Sequence, residues 1–246
     1  MREAGRPPAG DGRAMWRRVP RTAKSYNLFM SFKGVIEASC PNGCEPFAAE
    51  VWSFIHGGNS PELREAVAAK ECNLLLCPGC WAPFFADAPY VYFEPAAEIL
   101  AFVFPEHYRG QEPRWRRKMR DDFRALKQAL GPRMPLDLEP EVFFGSVGLA
   151  EILSAEDLRS AEREVMECLA GKLGLCVYRV CPRFARRNGI PAALPFAPAP
   201  SEGATRANVI AGLERIVAAN DRLAAYQSYL AGLRGSADAE LPPPKS

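Results

Sequence analysis

Apolar positions along the chain follow two spacings. From about residue 32 to 104 they recur at short, often alternate intervals and read mostly as strands and turns. Beyond residue 113 they recur at helical spacing. Phe32, Ile36 and Ala38 fall on one short strand, and residues 47–55 make a second. Ser60-Pro61 offers an N-cap with proline at the first helical position and Glu62 in the first turn. That helix is predicted to run to about Lys70. Residues 73–76, 84–93 and 98–104 continue the strand pattern, with a turn near Pro95 and strand ends at Pro89 and Pro105.

Pro113 opens an amphipathic helix predicted over 113–130 and stopped by Gly131-Pro132, and the proline-rich stretch 132–140 reads as a connector. Ser154-Ala155-Glu156-Asp157 is a helix start, with Leu158, Val165, Met166 and Leu169 on one face and Gly171 or Gly174 as the stop. Residues 175–180 read as a short strand. Four prolines between 191 and 200 read as a linker or wrapping arm. A last helix over 205–233 carries the apolar stripe Val209, Leu213, Ile216, Val217, Leu223, Tyr226 and Leu230, free to dimerise or to fold back.

Four cysteines sharpen this picture. Cys40-Pro41-Asn42-Gly43-Cys44 and Cys77-Pro78-Gly79-Cys80 are separated by 32 residues, and each pair follows a predicted strand. Two tight turns that each present two thiolates make a tetrahedral site for one structural zinc ion, the logic of a zinc ribbon. Proline after the first cysteine presets each turn. Buried thiols acting as small apolar residues are the plain alternative. A second alternative takes Cys77 and Cys80 as a redox dithiol, but that chemistry wants a helix N-terminus, and Pro83 follows in a strand-like run.

At these residues the chain resembles the CpXC family, a bacterial and archaeal domain family of unknown function. The resemblance covers roughly residues 32–170. It includes both cysteine motifs, the Ser60-Pro61-Glu62-Leu63 helix start, the Asn73 segment, Tyr90-Val91-Tyr92-Phe93 and the later apolar helix. It implies that Cys40, Cys44, Cys77 and Cys80 are metal ligands. The chain departs from the family pattern in two ways. Its first motif holds one extra residue, and Glu45 and Trp81 stand where glycine usually follows the second cysteine. Glycine there serves a corner with φ above zero. Gly43 and Gly79 are the residues expected to take over that corner.

The predicted fold is α+β. A zinc-ribbon-like antiparallel β domain is joined by additional helices packed on it, and the C-terminal half is mostly helical. The division reads as a disordered basic tail at 1–29, the β domain at 30–108, its helical continuation at 109–185, a proline-rich linker at 186–204, a C-terminal helix at 205–234 and a disordered tail at 235–246. Residues 1–29 hold seven Arg and Lys against two acids. Met15 and Met30 are alternative starts there, and intact mass would decide between them.

Composition excludes little. The 246 residues are 48% hydrophobic and 24% charged, with a net charge of +2, ordinary values for a soluble protein able to form a core. No run is apolar enough for a membrane span, and no apolar stretch follows the basic N-terminus, so no secretory signal is expected. Eight cysteines without such a signal fit a reducing compartment, the cytoplasm.

The run Arg114, Trp115, Arg116, Arg117, Lys118, Met119, Arg120 packs five positive charges around a tryptophan. It reads either as a nucleic-acid contact, with Trp115 stacking on a base, or as a solvated helix face paired with Asp121 and Asp122. Cys168, Cys176 and Cys181 match no common site and read as structural, while Cys72 reads as a core or half-exposed cysteine, with a substitute metal ligand as the alternative. His56 reads as a surface turn residue and His107 as exposed. Gly145-Ser146-Val147-Gly148 is not a nucleophile elbow, and no phosphate loop or dinucleotide fingerprint appears. No residue receives a catalytic role. The chain reads as a zinc-holding binding module with an unidentified protein partner, leaning away from an enzyme.

Overall fold

The computed structural model describes residues 30–130, 138–198, 203–235 and 240–245. The expected N-terminal tail lies outside them. The fold is α+β, built around one five-stranded sheet. Strand β1 (Phe32–Ala38) forms an antiparallel hairpin with β2 (Phe47–His56). The sheet then continues through β5 (Tyr90–Glu94), β6 (Ile99–Phe104) and β7 (Glu141–Phe144), in the order β1-β2-β5-β6-β7. Between β2 and β5 the chain makes α1 (Pro61–Ala68) and a separate hairpin of β3 (Leu74–Leu76) and β4 (Pro83–Phe85).

The sheet is mixed rather than antiparallel. Strand β5 runs parallel to β2, and β7 runs parallel to β6. Parallel neighbours require a long crossover. The first crossover carries α1 and the β3–β4 hairpin, and the second carries α2 (Glu112–Leu130). The segment 84–93, read as one strand, divides between β4 and β5, which belong to different sheets. Ala86 N–H closes the hairpin on Asn73 O at 3.0 Å, and β5 starts only after Pro89, which has no N–H to donate.

Strand β6 shows why the sheet is covered on both sides. Its sequence Ile-Leu-Ala-Phe-Val-Phe is buried throughout, the signature of a strand with two buried faces. Leu100, Phe102 and Phe104 meet Trp115 and Met119 of α2. Ile99, Ala101 and Val103 meet Val67 of α1 and Leu149 and Leu153 of α3 (Val147–Lys172). Helix α3 starts seven residues before the predicted position. Its true corner is the glycine-serine turn, where Gly145 adopts φ +78° and donates to Phe104 O at 2.8 Å. The cap-like residues from Ser154 lie inside the helix.

At 26 residues, α3 is about 39 Å long and reaches a second core. There Met166 and Ala170 pack with β8 (Cys176–Arg179), α4 (Pro182–Asn188), β9 (Ala193–Phe196), α5 (Arg206–Ala219) and α6 (Ala224–Gly235). Three expectations change in this region. The proposed linker contains β9, with Ala193 and Leu194 buried. A two-stranded sheet consists of edges, where proline is tolerated. The long last helix is two helices, broken where Asn220 leaves helical geometry and accepts from Arg222 N–H at 3.0 Å. Gly212 lets α5 approach β9, since a Cβ there would lie 2.5 Å from Pro195 O. Part of the expected C-terminal tail, residues 240–245, runs beside β8, with Val180 bridged to Pro244.

A polar clasp joins the two cores. Cys181 Sγ and Arg183 N–H both donate to Glu98 Oε2, at 2.7 and 3.1 Å. Arg186 reaches Glu156 at 3.0 Å, and both side chains are about 10% exposed.

Candidate metal centre

The two cysteine turns cap two hairpins. The first joins β1 to β2 and the second joins β3 to β4. In the first, Gly43 N–H donates to Cys40 O at 3.0 Å, and Gly43 takes φ +76°. In the second, Trp81 N–H donates to Cys77 O at 2.8 Å, and Cys77 N–H donates to Ala82 O at 3.1 Å. The left-handed corner of this second turn belongs to Trp81, at φ +59°. Gly43 thus performs the predicted role and Gly79 does not. Gly79 instead lies against the partner turn, where an added Cβ would sit 3.5 Å from Cys44 Cβ. The extra residue in the first turn places Gly43 at the corner and leaves Glu45 with an ordinary negative φ.

The hairpins are brought together by side chains outside the cysteine motifs. Asn73, at φ +60°, accepts from Trp52 N–H at 2.7 Å and donates to Trp52 O at 3.0 Å. One amide side chain therefore hooks the start of β3 onto β2 as a strand neighbour would. Asparagine tolerates the left-handed region better than most residues. Phe47 of β2 and Phe84 of β4 meet edge to face, with centroids 6.2 Å apart.

The four sulfurs lie within 4.8 Å of one another, and Cys40 and Cys80 Sγ are 3.7 Å apart. Metal–sulfur bonds of about 2.3 Å in a tetrahedron give sulfur–sulfur edges of about 3.8 Å. The cluster therefore fits a metal ion with little rearrangement. Cys77 is fully buried and Cys40 nearly so, while Cys80 is exposed. Asn42 serves both turns: its N–H points to Cys40 Sγ at 3.4 Å and its side-chain amide to Cys80 Sγ at 3.5 Å. The Ala82 N–H and the Asn42 amide pull the Cys80 thiol down to about 6. Hydrogen bonding to Cys80 and Cys77 pushes Cys44 up to about 12. Thiols must shed their protons to bind a metal, and a cation among them favours that ionisation.

Residues 38–159 match a family model described as CpXC protein. This segment is a CpXC domain. It takes in both cysteine turns, β2 through β7 and the first half of α3, and the second core lies mostly beyond it. No curated protein and no solved structure matches the chain.

The remaining sequence candidates fall elsewhere. Trp115 faces inward from α2, 8% exposed, stacked on Tyr108 at 4.2 Å and packed on Phe104. It is a core residue with no face left for a base. Arg114 lies over the Trp115 ring and bonds Gln111, Arg116 pairs with Glu112, and Lys118 pairs with Asp122 at 2.8 Å. Arg117 and Arg120 are exposed on a shallow cleft beside Pro113.

His56 is not a surface residue. It is 5% exposed, its Nδ1 accepts from Asn59 N–H at 3.2 Å, and its ring stands edge-on to Phe93. His107 is exposed and pairs with Asp87 at 3.4 Å. Cys72 is half-buried, and burial raises its thiol to about 12. Cys168 and Cys176 are exposed rather than structural. Cys181 belongs to the Glu98 clasp.

Proposed function

We propose that this CpXC domain holds one structural zinc ion through Cys40, Cys44, Cys77 and Cys80, and that the metal-tied β3–β4 hairpin docks a partner protein. The convergence of the four sulfurs carries this reading. An all-thiolate tetrahedral donor set with no open position suits zinc in a structural rather than a catalytic role. All eight cysteines are unpaired, consistent with a reducing compartment such as the cytoplasm.

The hairpin's outward face supports the docking role. Leu74 and Leu76 of β3 and Phe85 of β4 share it, 45%, 57% and 57% exposed, and Trp81 beside them is 74% exposed. Such a cluster is what interaction surfaces display. Residues 71–88 contain no Lys or Arg and two acids. Four thiolates around a divalent ion add further negative charge. Phosphate backbones are repelled here, and an apolar protein face is the matching occupant. Against the redox alternative, Cys77 is inaccessible and its pair sits between two strands rather than at a helix N-terminus.

Elemental analysis of the reduced full chain tests the metal. One zinc per chain is expected, lost in Cys40→Ser and Cys77→Ser variants. Absence of zinc from protein kept reduced throughout sinks the proposal.

A further inference from the structure

The free edge of β8 is covered by the chain's own C-terminal segment, and the pairing accommodates proline without losing a hydrogen bond. Cys181 N–H donates to Pro243 O and Lys245 N–H donates to Arg179 O, both at 2.9 Å. These two bonds flank the antiparallel bridge between Val180 and Pro244. Val180 and Pro244 are therefore a non-hydrogen-bonded pair, and the N–H that proline lacks is not needed there. Pro243 contributes only its carbonyl. One residue earlier, the Tyr178 hydroxyl donates to Pro242 O at 2.6 Å. Pro242 is buried, and Leu241, like Tyr178 and Tyr229, packs against the second core. Each main-chain group that touches the edge is one that proline retains or that Lys245 supplies. An extended proline-rich segment presents such groups without first breaking internal hydrogen bonds.

We infer that the β8 edge, with Tyr178 and Tyr229 beside it, is a recognition site for an extended proline-rich protein segment, occupied in cis by residues 241–245. A partner carrying a Leu-Pro-Pro-Pro-Lys-like stretch adds to the same edge by strand addition. The cis ligand follows closely on α6, which ends at Gly235. A connection that short holds the tail at an effective concentration of roughly millimolar. The edge is thus masked in the resting chain and opens to a partner that outcompetes the tail. The site is remote in sequence from the cysteine turns and stands or falls independently of the zinc reading.

The test uses the full chain and a fluorescently labelled peptide with the sequence of residues 240–245. Pro242→Asp puts a charge into the buried proline position and frees the tail without changing its length. We expect this variant to bind the peptide at least tenfold more tightly than the parent chain, and Tyr178→Phe added to it to weaken binding several-fold. A control peptide with alanine for all three prolines should bind more weakly. No peptide binding up to millimolar concentration by a folded Pro242→Asp chain overturns the inference, as does binding that ignores both Tyr178 and the prolines. If Pro242→Asp does not fold, hydrogen exchange on the parent chain decides. The Lys245 amide should lose protection as unlabelled peptide is added, and unchanged protection at millimolar peptide overturns the inference.

Discussion

Trp81 occupies the left-handed region at φ +59° with its side chain 74% exposed, so replacing it with glycine is expected to stabilise the metal-loaded domain. A left-handed conformation costs an L-residue about 1–2 kcal/mol. Glycine removes that cost but gives back about 0.5–1 kcal/mol through its freer unfolded state. The ring's small buried part lowers the gain a little further, leaving about 0.5 kcal/mol in favour of Trp81→Gly. Gly43→Ala reverses the argument. Gly43 sits at φ +76° and a Cβ there meets nothing within 4 Å, so its loss of about 1 kcal/mol is a pure backbone effect. The two variants should therefore differ by about 1.5 kcal/mol, roughly 3–6 °C in Tm for a chain of this size. Thermal unfolding of both in excess zinc measures the difference. If Trp81→Gly proves less stable than Gly43→Ala, the backbone reasoning is wrong. On the docking role proposed above, the strained Trp81 with its large exposed ring is a contact residue for the partner. The same Trp81→Gly variant should accordingly lose partner binding while gaining stability.

Removing the metal with a chelator should expose the β3–β4 hairpin to hydrogen exchange while β5 and β6 stay protected; loss of the whole sheet would place the ion in the main core instead. Because thiolates must shed protons to ligate, zinc affinity should fall as pH is lowered, which competition with a chromophoric chelator reads directly. Arg186→Ala leaves Glu156, about 10% exposed, without that partner and should destabilise the chain by about 3 kcal/mol in denaturant titration; a near-zero change would show that the clasp is dispensable. Trp115→Ala should cost about 3–5 kcal/mol of stability, as a core truncation does, whereas unchanged stability with lost affinity for generic nucleic acid would restore the base-stacking reading.

The four-cysteine cluster was legible because its signal is local. A Cys-Pro step, a glycine and a second cysteine within five residues define each turn whatever surrounds it. The convergence of the two turns depends on residues whose signal is not local. Asn73 hooks β3 to β2 across 21 positions, and Phe47 meets Phe84 across the two hairpins. The left-handed tendency of asparagine was the one available hint. The corner glycine was placed correctly in the first turn and wrongly in the second for the same reason. Which residue of a knuckle turns left-handed is set by the bond Trp81 N–H makes to Cys77 O, and tryptophan has no local preference that announces it.

Proline explains most of what was misread in the second core. The prolines of 191–200 were read as a linker or wrapping arm and residues 235–246 as a disordered tail, and proline does remove a donor and fix φ. Both effects argue against a central strand, but neither argues against an edge. Pro195 lies in β9 opposite Val177, where each strand of the pair is an edge, and Pro244 faces Val180 where no donor is called for. Local composition cannot distinguish a proline that ends structure from one that fits a partner strand, since the difference lies in which groups the partner offers. In this chain the partner is β8 on both sides, with Leu194 buried on one flank and Pro242 on the other. The short strand at 175–180, visible as an apolar run, is thereby the organising element of the second core, and both proline-rich segments are ordered by what it presents to them.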